Sequence, residues 1–149
     1  MYVLAPLCER VLVVEHDSQV RTLLTTLLHQ EGYLPDEAGS LEEALEKVDA
    51  HAYDLVVTDL FAGSAQPHLD AARRLQQHCR PIPVGIITGW RIDQADAERA
   101  GFAFAIQKPF DLDAVLQCIA ECLNASSPQR NSRPRSSGAM LFRSLTPGP

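Results

Sequence analysis

Cysteine is sparse in this chain and never arranged as a pair. Cys8, Cys79, Cys118 and Cys122 form no C-x-x-C motif, which excludes a zinc ribbon and a thioredoxin-like redox site. Cys118 and Cys122 stand four apart in a segment with helical spacing and read as neighbours on one helix face. Reduced thiols and a cytoplasmic setting are the default expectation. No apolar run approaches the roughly 18 residues of a membrane span, so no membrane association is expected. Met1 to Glu9 lacks an early basic cluster and is broken by Pro6, so it does not read as a signal peptide. A glycine-rich phosphate loop is also missing. The turn after the first apolar run is Glu15-His16-Asp17-Ser18, whose charge would repel a pyrophosphate, which argues against a dinucleotide enzyme. Positive charge is scarce where the sequence looks folded. Nine basic residues face all 19 acidic ones within the first 124 positions, a net of −10 that argues against nucleic acid as the domain's partner. Lysine occurs only at Lys47 and Lys108.

What remains is an ordinary globular composition of 149 residues, 46% apolar and 21% charged, large enough to fold without disulfides. The pattern alternates strand and helix five times. Val11 to Val14 is a continuous apolar run, as expected of a strand covered on both faces. Asp17 or Ser18 can cap a helix through about Glu31, with Val20, Leu23, Leu24, Leu27 and Leu28 at 3.6-residue spacing and Gly32 ending it. A weak strand near Tyr33 to Ala38 is confined to an edge by Pro35. Ser40-Leu41-Glu42-Glu43 is a capping box that opens a helix to about Asp49. Leu55 to Thr58, Val84 to Thr88 and Phe104 to Gln107 are the remaining strands. Helices are expected over Leu69 to His78, Gln94 to Ala100, and from an Asp111 cap to about Leu123. Short connections between alternating elements predict an α/β fold, a doubly wound parallel sheet with helices on both faces. Residues 1–9 read as an N-terminal extension, 10–124 as one domain, and 125–149, rich in Ser, Pro and Arg, as a disordered tail. Met140-Leu141-Phe142 is the tail's only apolar cluster.

Ligand chemistry in such sheets gathers at the carboxyl ends of the strands, near the point where strand order reverses. Glu15, His16, Asp17, Asp59, Thr88 and Lys108 all stand at ends of that kind. With Val11-Leu12-Val13-Val14-Glu15, Asp54-Leu55-Val56-Val57-Thr58-Asp59-Leu60, Ile86-Ile87-Thr88-Gly89 and Lys108-Pro109-Phe110 in this order, the chain resembles the receiver domain of two-component response regulators. The likeness covers about Arg10 to Leu123 and implies a flavodoxin-like, five-stranded sheet in the order 2-1-3-4-5.

The resemblance implies that Asp59 accepts a phosphoryl group from a histidine kinase or histidine phosphotransfer protein. A carboxylate attacks an anionic donor poorly unless charge is neutralised, which Mg²⁺ does in this family. Its implied ligands are Glu15, Asp59, the backbone carbonyl of Phe61, and Asp17 or His16. Lys108 would contact the phosphoryl oxygens, Thr88 would offer its hydroxyl, and the Lys108-Pro109 bond would be cis. The implied protein is a phosphorylatable signalling module, not a turnover enzyme. The chain ends soon after its last expected helix, so a stand-alone regulator is expected. Its output would pass to a downstream protein through a surface that includes Trp90, Arg91, Ala105 and Phe110, with a homodimer left open.

Three positions depart from the family pattern. His16 stands where the second acid of the metal-binding pair is usual, Ala105 where an aromatic ring is frequent, and Phe61-Ala62-Gly63-Ser64 where a Met-Pro loop is common. Imidazole suits Mg²⁺ poorly, so His16 is expected to weaken the metal site. One alternative turns His16 outward and leaves the metal to Glu15 and Asp17. Another is a pseudo-receiver that keeps the fold as an interaction module without phosphorylation. A haloacid dehalogenase-type phosphatase would need an Asp two residues after the nucleophile, and position 61 is Phe.

Overall fold

The computed structural model describes residues 8–59, 69–89 and 91–126. Its elements run β1 (Arg10–Val14), α1 (Ser18–Gln30), β2 (Leu34–Ala38), α2 (Leu41–Ala50) and β3 (Leu55–Thr58). They continue through α3 (Leu69–Cys79), β4 (Val84–Thr88), α4 (Gln94–Arg99), β5 (Phe104–Gln107) and α5 (Leu112–Ser126). The strands form one parallel sheet in the order β2-β1-β3-β4-β5. Both the fold class and the order therefore match the expectation.

The apolar runs explain the layering. Successive strand side chains point to opposite faces, so an unbroken apolar strand feeds two cores. Leu12 and Val14 join Val56, Val84 and Ile86 in a core shared with Ala44 of α2, Leu75 of α3 and Ala97 of α4. Val11 and Val13 join Leu55, Val57 and Ile87 in the other, with Leu24 and Leu28 of α1 and Val115 and Ile119 of α5. Phe104 belongs to the second core and Ala105 packs against the first, as alternation requires. Gly85 lies beside Phe104 in the β4–β5 register. A Cβ on Gly85 would come within 2.2 Å of the Phe104 ring, which fills the space a side chain would otherwise take.

The caps fall where short polar residues were expected. The Asp17 carboxylate accepts from the Gln19 and Val20 amides at 2.9 and 3.4 Å, Ser40 from Glu43 at 3.2 Å, and Asp111 from Asp113 at 3.0 Å. Gly32 ends α1 with φ +88°, a conformation that suits glycine. β2, with Pro35, is an edge strand. α5 continues through Ala125 and Ser126, two residues past the change in composition. The fate of residues 127–149, and of the Met140-Leu141-Phe142 cluster, lies outside the described residues, as do Met1 to Leu7.

Candidate functional site

Strand order reverses between β1 and β3, and the register sets their ends level. Val14 pairs with Thr58, so Glu15 and Asp59 are the next residues out on adjacent strands. Each is tied down by its backbone. The Glu15 amide donates to the Ala38 carbonyl and the Asp59 amide to the Val14 carbonyl, both at 3.0 Å. Arg21, reaching over from α1, donates to the Glu15 carbonyl at 2.7 Å. Nothing in the sequence marked Arg21 for that role, because its partner is a backbone oxygen.

Both carboxylates are buried, Glu15 to 2% exposure and Asp59 to 8%. A lysine and a histidine meet them. Lys108 Nζ lies 2.5 Å from Glu15 Oε1 and 3.4 Å from Asp59 Oδ2. His16 Nδ1 lies 3.1 Å from Glu15 Oε2 and 3.1 Å from Asp59 Oδ2. Lys108 is brought there by β5. Its amide donates to the Thr88 carbonyl at 2.6 Å, which joins the ends of β4 and β5, and the bond to Pro109 is cis. Thr88 itself is wholly buried at the end of β4.

The electrostatics follow from burial. Burial pushes the Glu15 carboxyl above its ordinary range, and the neighbouring Asp59 adds to this. The hydrogen bonds from Lys108 and from the Asp17 amide pull the other way without prevailing. Burial by itself would lower the Lys108 pKa, but Glu15 and Asp59 outweigh it and hold the ammonium more firmly protonated. The site is thus a lysine held between two acids, one of which ionises reluctantly.

Of the residues expected at the site, Glu15, His16, Asp59 and Lys108 converge, and Thr88 is joined to them through Lys108. Asp17 points elsewhere: its carboxylate caps α1, and only its backbone amide reaches the site, donating to Glu15 Oε2 at 3.1 Å. His16 turns inward. The Phe61 carbonyl and Trp90 lie outside the described residues, as does the Ala62-Gly63-Ser64 loop. Among the described residues, Glu15, His16 and Asp59 each offer one donor atom within 4.8 Å of the others, so this cluster could hold a metal ion. Hard carboxylate oxygens suit Mg²⁺, which keeps several waters and needs few protein ligands; the imidazole is the donor that suits it least. A small cleft beside the cluster is lined by His16, Asp59, Ser40, Leu41 and Ala72. The thiols are no rival centre: burial pushes Cys79 up to about 11, with Asp49 adding to the shift.

Comparison with known proteins agrees with this fold. Residues 11–120 match the family model described as the response regulator receiver domain. The chain is 31% identical over 121 residues to the two-component response regulator PhoP of Pseudomonas aeruginosa, covering 79% of this chain and 53% of PhoP. It is 31% identical over 115 residues to the transcriptional regulatory protein PdtaR of Mycobacterium tuberculosis, covering 74% of this chain and 54% of PdtaR. The chain therefore spans about half the length of these curated relatives. Among solved structures, the receiver domain of the Francisella response regulator 1452 superposes with a TM-score of 0.71 at 19% identity, covering 80% of this chain and 99% of that one. The response regulator TrrA of Thermotoga maritima, solved in complex with Mg²⁺-BeF, gives a TM-score of 0.66 at 26% identity, covering 76% and 98%.

Proposed function

Because the chain belongs to the response regulator receiver domain family, we propose that Asp59 is its phosphoryl acceptor and that phosphorylation sets its contacts with a downstream protein. The observation that carries this reading is the approach of Lys108 Nζ to both Glu15 and Asp59. A buried lysine between two acids at the switch point of the sheet suits an anion that arrives on one of them. The donor is a histidine kinase or a histidine phosphotransfer protein, and the setting is cytoplasmic.

The chain's own residues have separate tasks. Asp59 presents a carboxylate oxygen as nucleophile, held in place by its backbone bond to Val14. Lys108 follows the incoming charge: its ammonium is drawn from Glu15 toward the phosphoryl oxygens, where fixed positive charge is worth most. Thr88 offers its hydroxyl from the end of β4, next to the strand that carries Lys108. Glu15, buried beside Lys108, would offer its second carboxylate oxygen to a divalent cation. Receiver domains in general use Mg²⁺, and the Glu15, His16 and Asp59 cluster could hold a metal. When bound there, a divalent cation supplies the charge neutralisation that lets two anions meet. The domain acts as a signalling element that undergoes phosphoryl transfer.

Small-molecule phosphodonor labelling tests the reading. Acetyl phosphate with a divalent cation should place one acid-stable, hydroxylamine-labile phosphoryl group on the wild-type chain and none on Asp59→Asn. Equal labelling of both proteins, or an unlabelled wild type across Mg²⁺ and Mn²⁺, overturns it.

A further inference from the structure

The residue that sets this cluster apart from an all-oxygen site is the histidine. We propose that His16 makes this end of the sheet a mixed nitrogen–oxygen metal site, selective for a first-row transition-metal dication such as Mn²⁺ over Mg²⁺. The inference rests on Glu15 and Asp59 being the metal ligands, and it adds the identity of the ion.

The distances carry it. His16 Nδ1 is 3.1 Å from Glu15 Oε2 and 3.1 Å from Asp59 Oδ2. Neighbouring ligands around an octahedral ion with bonds of about 2.1 Å lie about 3 Å apart. The nitrogen therefore stands where a third ligand would, at equal distance from both oxygens. The ring's exposure fits that role: the His16 side chain is 50% exposed while both acids are buried. Nε2 can then keep its proton toward water while Nδ1 faces the acids.

The outer partners are also arranged for it. Lys108 takes Glu15 Oε1, so the other oxygen, Oε2, faces His16. The Asp17 amide donates to that same Oε2, and Arg21 fixes the Glu15 backbone. Such contacts orient a ligand before the ion arrives. Asp17, the carboxylate that would have restored an all-oxygen site, is spent on capping α1. Imidazole binds transition-metal dications better than it binds Mg²⁺, which prefers oxygen. One nitrogen in a small donor set is thus enough to tilt the preference.

Mn²⁺ titration of the full, tag-free chain tests this, with binding read by calorimetry and by electron paramagnetic resonance. Wild type should prefer Mn²⁺ over Mg²⁺ by roughly tenfold more than His16→Asp or His16→Gln does. Pulsed spectra of bound Mn²⁺ should show coupling to a ¹⁴N nucleus that both variants lose. An unchanged Mn²⁺/Mg²⁺ ratio across the three proteins, or bound Mn²⁺ without nitrogen coupling, overturns the inference. Binding is read apart from phosphorylation. Nitrogen-coupled Mn²⁺ in a chain that Asp59 labelling shows to be inert would sink the proposed function alone. Normal labelling with no nitrogen coupling would sink only the selectivity.

Discussion

The chain's two lysines each sit against a carboxylate, and the two pairs have opposite characters. Lys47, in α2, reaches Asp36 Oδ1 at 3.1 Å and the Glu37 carbonyl at 2.5 Å. Tyr53 donates its hydroxyl to Asp36 Oδ2 at 2.6 Å, and the guanidinium of Arg10 lies 5.2 Å from the centre of the Tyr53 ring. Burial nudges the Asp36 carboxyl upward, but Tyr53, the Glu37 amide and Lys47 outweigh it and hold it below its ordinary range. Burial also pushes Tyr53 upward, and its bond to Asp36 reinforces this. At Lys108 the order of winners is reversed. Glu15 is pushed up by burial and by Asp59 despite its lysine. A partly exposed acid surrounded by donors consolidates the fold; two buried acids sharing donors keep an appetite for positive charge. Proximity of a lysine to a carboxylate does not tell the two apart, whereas the burial of the acids does: Asp36 and Glu43 beside Lys47 are partly exposed, Glu15 and Asp59 beside Lys108 are buried.

The sharpest way to break this comparison is to remove each lysine in turn. Lys108→Met should cut phosphoryl labelling of Asp59 by roughly a hundredfold or more, in line with the loss of a fixed transition-state cation. Lys47→Met should leave labelling intact and lower stability by about 1–2 kcal/mol in urea unfolding, as loss of a charged hydrogen bond does. Comparable loss of labelling in both variants would erase the distinction. A smaller effect is expected of Tyr53→Phe, which should cost about 1 kcal/mol at neutral pH. Its pH dependence carries a sign. A carboxyl held below its ordinary value of 3.8 contributes stability that is present above that value and lost as pH falls through the folded one. Tyr53→Phe should therefore weaken the fall in stability on acidification, followed by circular dichroism; an identical acid limb would count against the Asp36 pair. The smallest effect runs the other way. Glu15, raised above 4.5, contributes stability only below that value and loses it as pH rises through the folded one. Glu15→Gln should thus stabilise the domain slightly at pH 7 while weakening metal binding, the trade expected of a functional residue. A destabilised Glu15→Gln would mean that the Lys108 bond dominates after all.

Much of this architecture was legible in the chain. Four apolar runs and one weak edge strand, alternating with helical segments, pointed to a doubly wound sheet, and an acid or lysine at the end of a buried strand stands where such sheets gather their chemistry. The orientation of Glu15-His16-Asp17 was harder to read, because three consecutive polar residues at a strand end fan outward and alternation no longer constrains them. A clue existed: Asp17 was one of two candidate caps for α1, and a carboxylate holding two amides is not free to turn to a metal. The Lys47, Asp36 and Tyr53 cluster gave no signal, since its members are 11 and 17 residues apart and meet only because β2 lies beside β1. Arg21 was silent because its partner is the backbone carbonyl of Glu15.

The Phe104 ring over Gly85 has a consequence of another kind. The two positions divide one fixed volume between neighbouring strands, so a bulkier residue at 85 demands a smaller one at 104. Neither letter of the sequence can drift alone. Because β4 ends at Thr88 and β5 leads to Lys108, this shared volume also keeps side by side the two strands whose ends are joined by the Lys108 amide, from where the Lys108 ammonium reaches Asp59.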